Sequence, residues 1–77
     1  MLIVPMASGR LVNLDSVEMV FAENDVYEGG GCRVIAKGAS GENMTLGWYK
    51  DELRAQEVMQ EIIEAYKDQA VYEMPRA

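Results

Sequence analysis

The chain has 77 residues, 13 acidic and 7 basic, with a net charge of -6, no histidine and one cysteine. That length holds a single small domain, residues 1–77, burying only about 60% of the surface that the unfolded chain exposes. The missing histidine removes the commonest metal ligand and general base, and the lone cysteine excludes an internal disulfide framework. Leu2, Ile3 and Val4 predict a first short strand, ended by Pro5. Ala7-Ser8-Gly9 has turn chemistry, Arg10 to Leu14 predicts a second strand, and Asn13, Asp15 and Ser16 predict a bend, because their short side chains bond nearby backbone groups.

From Val17 the alternation of a half-buried strand is clear. It predicts Val17, Met19 and Phe21 facing the core, with Glu18, Val20 and Ala22 facing away. Glu23-Asn24-Asp25 ends the strand. Val26 and Tyr27 open a further stretch that Gly29-Gly30-Gly31 interrupts as a flexible hairpin connection. Cys32 to Lys37 predicts a strand with Cys32, Val34 and Ala36 inward and Arg33, Ile35 and Lys37 outward. After the loop from Gly38 to Asn43, Met44 to Tyr49 predicts another, with Met44, Leu46 and Trp48 inward and Thr45, Gly47 and Tyr49 outward.

A helix follows at about 52–67. Asp51 is a suitable N-cap, Glu52 complements the positive end of the dipole, and Lys67 complements the negative end. Ala55, Val58, Met59, Ile62, Ile63 and Tyr66 form its apolar stripe, opposite Glu57, Gln60, Glu61 and Glu64. Ala70 to Met74 predicts a short terminal strand, stopped by Pro75. These elements define an α+β fold: a small antiparallel sheet of five or six strands, one face covered by a single helix. The short connections predict antiparallel pairing throughout.

No motif names a reaction, and the expectation is that the protein is not an enzyme. The glycine run lacks the lysine, hydroxyl and following helix of a phosphate-binding loop, and Glu28 would repel an anion. Asp15, Glu18, Glu23 and Asp25 lack the offsets of a calcium loop and any apolar wall that would drive two carboxyl pKa values apart. Cys32 has neither a histidine to activate it nor a second cysteine to resolve it, so it reads as a small core residue. No catalytic residue, metal ligand or cofactor is expected. The scattered basic residues and net charge of -6 predict no binding to nucleic acid. Neither a signal peptide nor a membrane span is expected, and the lone cysteine suits a reducing, cytoplasmic setting.

The outward phase of the sheet is not wholly polar, since Val12, Val20, Ile35 and Tyr49 all take it. A contiguous set of that kind marks an interface, for a protein partner or a second copy of the chain. The competing expectation is an acidic inhibitor that occupies a basic nucleic-acid-binding surface on a partner through Glu57, Glu61 and Glu64. The two differ in salt dependence, because an acidic contact weakens steeply as salt rises.

Arg10 through Val17, Leu46-Gly47-Trp48-Tyr49, Ala55 through Tyr66 and Tyr72-Glu73-Met74-Pro75 together make an N-L-D bend, an L-G strand, an amphipathic helix and a Y-x-M-P tail. In these the chain resembles a group of small uncharacterised proteins of Gram-positive bacteria, often from phages and conjugative elements. The resemblance implies a β-rich domain closed by a helix and an origin on a mobile element. It supplies no catalytic residues to carry over.

Overall fold

The computed structural model describes residues 1–7, 9–25 and 30–77, with Asp25 described by its backbone only. Its elements run β1 (Leu2–Val4), β2 (Val12–Asn13), a 3-10 turn (Leu14–Ser16), β3 (Val17–Asp25), β4 (Gly31–Gly38), β5 (Asn43–Tyr49), α1 (Glu52–Asp68) and β6 (Val71–Glu73). The expected bend is the 3-10 turn: the Asn13 side chain accepts from the Asp15 amide at 3.0 Å, and Ser16 Oγ donates to the Asn13 carbonyl at 2.9 Å. The stretch at Val26 and Tyr27, and the start of the glycine run, lie outside the described residues.

The helix forms where its caps and periodicity place it. The Asp51 side chain accepts from the Arg54 amide at 2.9 Å, and the Gln69 amide closes the far end on the Ala65 carbonyl at 2.8 Å. Ala55, Val58, Ile62 and Ala65 are its buried residues. Ile63 and Tyr66, expected in the same stripe, are 55% and 52% exposed. A single helix on a narrow sheet buries only the centre of its stripe, and these two stand on the flank.

The strands form two three-stranded sheets, ordered β2-β1-β6 and β3-β4-β5, in place of the single sheet expected. The second is an antiparallel meander. In the first, β1 pairs antiparallel with β2 but parallel with β6, through Leu2↔Val71, Ile3↔Tyr72 and Val4↔Glu73. Uniform antiparallel pairing therefore fails at β6. The rule of short connections governs sequential strands, whereas β1 and β6 meet only after the rest of the domain has intervened. The Met6 amide donates to the Leu46 carbonyl at 2.8 Å and ties the segment after β1 to β5. The core lies between the elements: Ile3 and Val12 from the first sheet, Cys32, Val34, Ala36, Leu46 and Tyr49 from the second, and Ala55, Val58 and Ile62 from the helix, with Met74.

Two β-bulges decide which residues face that core. On β3, Val17 pairs with Gly38 and Met19 with Lys37, which leaves Glu18 as an extra residue. On β5, Thr45 pairs with Ile35 and Gly47 with Val34, which leaves Leu46 as the extra residue. An extra residue reverses the inward and outward phase of everything beyond it. Val17 and Met44 therefore pack on the core as expected, but past the bulges Val20 and Ala22 face inward and Met19 and Phe21 outward. Likewise Tyr49 turns into the core at 3% exposure and Trp48 turns out at 42%. Only β4, which carries no extra residue of its own, keeps its expected faces throughout.

Candidate interaction surface

The outer face of the meander is assembled from three rows. Met19, Lys37 and Asn43 form the first, Phe21, Ile35 and Thr45 the second, and Glu23, Arg33 and Trp48 the third. Ile35, at the centre, is 2% exposed but lies outside the cluster beneath the helix. Cross-strand neighbours on the same face cover it. Around it, Met19 is 49% and Trp48 42% exposed, and Phe21 is half-buried. Arg33 reaches Glu23 at 3.5 Å, so the row that carries Trp48 ends in an exposed ion pair.

Of the four residues expected on this face, the structure places only Ile35 there. Val12 is 6% exposed and packs in the main core with Ile3. Val20 faces the helix side, where it lines a groove with Met59 and Ile62. Tyr49 lies inward, with its hydroxyl donating to the Pro75 carbonyl at 2.9 Å and the Arg54 guanidinium 5.9 Å from its ring centre. The sequence reading missed Met19, Phe21 and Trp48. One signal was available: Gly47 inside a strand pattern is a mark of a bulge or of close approach by another group.

The acidic stripe of the helix is partly neutralised within the chain. Arg54 lies 3.6 Å from Glu57 and 3.4 Å from Glu61, and Tyr72 donates to Glu61 at 2.9 Å. Glu64 is exposed. Glu57, Glu61 and Glu64 therefore do not act as three free carboxylates. On the other flank of the helix, Leu14, Val20, Met59, Ile62, Ile63 and Tyr66 line an apolar groove of about 330 Å³. The Tyr66 hydroxyl donates to Asp15 at 2.9 Å, tying the helix to the 3-10 turn.

Cys32 is buried, and burial above all pushes its thiol pKa up, with the Glu52 carboxylate adding to the effect. A thiol held in its neutral form is a poor nucleophile. Among the described residues, no three acidic or sulfur ligands are grouped closely enough to hold a metal ion. No described helix is long and apolar enough to cross a membrane.

The tyrosines make stability depend on alkaline pH. Burial pushes the Tyr49 phenol up to about 12 from its ordinary 10.0. Burial, and then the hydrogen bond to the Glu61 carboxylate, also raise Tyr72. Raised folded-state values mean that this stability is fully present below about pH 10. It is lost as the pH climbs towards 12, because the unfolded chain gives up its phenolic protons first. Urea unfolding between pH 8 and 11.5 is expected to show a free energy that is flat to about pH 9, falls slightly as the unfolded-state Cys32 thiol ionises, and declines more steeply above about pH 10. The Tyr49→Phe variant should decline less, from a baseline about 1 kcal/mol lower for the lost hydrogen bond. An equally steep decline in that variant would remove Tyr49 from the account.

No protein-family model, curated protein or solved structure matches the chain. The functional reading therefore rests on the surface just described.

Proposed function

We propose that the protein is a non-enzymatic protein-protein interaction module, of the kind carried by phages and conjugative elements of Gram-positive bacteria. It engages a protein partner through the outer face of the β3-β4-β5 sheet. The observation that carries this reading is the exposure of Trp48 and Met19 beside Phe21, around a buried Ile35, on the sheet face away from the helix. Aromatic and methionine side chains supply large contact area, and tryptophan is prominent among residues that dominate binding energy. The acidic-inhibitor reading is the weaker one, because Arg54 already pairs with Glu57 and Glu61.

The test compares what the tagged protein retains from its native cells with what two variants retain. Trp48→Glu is expected to lose the specific partner with only a modest fall in unfolding temperature, because the side chain is 42% exposed and stands on the sheet face away from the helix. Glu57→Gln combined with Glu64→Gln should retain the partner, and the complex should survive high salt. Loss with the glutamine variant and with salt, but not with Trp48→Glu, would reverse the assignment in favour of the acidic stripe.

A further inference from the structure

The outer face of the β3-β4-β5 sheet differs in charge from the rest of the molecule. Its three rows hold two cations, Lys37 and Arg33, and one carboxylate, Glu23, in a chain whose net charge is -6. Exposed carboxylates stand elsewhere, at Glu52, Glu57, Glu64 and Asp68 on the helix and at Asp15 in the 3-10 turn. Arg33 is taken up by Glu23 at 3.5 Å. The Lys37 ammonium has no carboxylate within ion-pair distance among the described residues.

Lys37 is half-buried and lies directly across from Asn43, with exposed Met19 on its other side. Cross-strand partners on one face have Cβ atoms about 4.5–5.5 Å apart. The ammonium and the Asn43 amide are thus neighbouring hydrogen-bond donors, at the border of the apolar ground of Met19, Phe21 and Ile35. A carboxylate brings two acceptor oxygens to such a pair, and its bond to a charged donor is among the stronger kinds.

We infer that the partner binds through an extended acidic segment, with one carboxylate on Lys37 and Asn43 and apolar side chains over Phe21 and Trp48. This rests on the reading of the outer face as the partner-binding surface and adds the chemistry of what is bound there. The rows of Lys37 and Trp48 are set by Lys37 and Arg33 on β4, and four residues of strand span about 14 Å. An extended segment of about four to five residues covers that distance. A nucleic-acid strand fits less well, because its phosphates need a track of cations, and of the two on this face Arg33 is already paired with Glu23.

The probe is a display library of random dodecapeptides, long enough to cover both rows, selected on the unmodified protein after depletion on Trp48→Glu. Selected peptides are expected to combine Asp or Glu with Trp, Phe or Leu about four positions away. In anisotropy titrations with the synthesised peptides, Lys37→Gln should weaken binding about three- to tenfold, and Lys37→Glu more. Changing the peptide's acidic residue to lysine should restore binding to Lys37→Glu, a rescue that a merely structural role of Lys37 would not give. Peptides that Trp48→Glu loses but that lack an acidic excess, or are indifferent to Lys37, overturn this inference and leave the surface reading standing. If no peptide distinguishes the protein from Trp48→Glu, both fall. A thymidine oligonucleotide that displaces the peptides and depends on Lys37 and Trp48 would overturn it in favour of a nucleic-acid platform.

Discussion

Replacing Leu46 by alanine is expected to cost about 2–5 kcal/mol, the range for truncating a fully buried leucine in a core that cannot collapse around the gap. Leu46 is 0% exposed. It is also the extra residue of the β5 bulge, and its carbonyl is bonded to the Met6 amide at 2.8 Å. Its chain neighbours Thr45 and Gly47 are paired with β4 and its own carbonyl holds the segment after β1, which limits how far the surroundings can close on the cavity. In a domain this small, each kcal/mol lowers Tm by roughly 4–8 °C, so a fall of more than about 10 °C is expected in calorimetry. A cost below about 1 kcal/mol would mean that the bulge relaxes around the smaller side chain.

The second large effect is expected at Gly47. A Cβ built there would lie 2.7 Å from the Tyr49 hydroxyl oxygen and 3.1 Å from two ring carbons, so the tyrosine ring lies back along its own strand over the glycine. The ring has little freedom to move, because its hydroxyl is bonded to Pro75 and Arg54 lies near its face. Gly47→Ala should cost about 1–3 kcal/mol by overpacking, and Gly47→Val more. The pair must be coupled. Once Tyr49→Leu has removed the ring, Gly47→Ala should be nearly neutral, since alanine in a strand restricts the unfolded chain more than glycine does. A double-mutant cycle by urea unfolding measures this, with a coupling of about 1 kcal/mol or more expected. Additive costs would show that Gly47 is needed for some reason other than the ring.

Both effects arise at the bulge, which also produces the exposed face. Leu46 enters the core as an extra residue, Gly47 makes room for Tyr49, and Tyr49 turns inward to hold the Pro75 carbonyl. Trp48, between Gly47 and Tyr49, is carried to the outer face. The exposure of the single tryptophan is thus a consequence of how the tail and core are closed. Trp48→Glu should accordingly weaken binding of the proposed partner with only a modest effect on folding.

The sequence by itself determined what depends on neighbours a few residues apart. The Asp51 cap and the apolar spacing of Ala55, Val58 and Ile62 place the helix, and Asn13, Asp15 and Ser16 place the bend. The alternation from Cys32 to Lys37 orients the central strand correctly, Ile35 included. Tertiary structure alone decided the rest. Period-two alternation carries the facing of residues only until an extra residue intervenes, and although Gly47 hints at the second bulge, the positions at Glu18 and Leu46 are fixed only against the ladder of β4. The expected interface therefore kept Ile35 but exchanged Val20 and Tyr49 for Met19, Phe21 and Trp48. Parallel pairing of β1 with β6, the burial of Val12 and the capture of Glu57 and Glu61 by Arg54 likewise depend on groups that meet in space. No local pattern in the chain encodes such meetings, because they become favourable only once the core has brought the elements together.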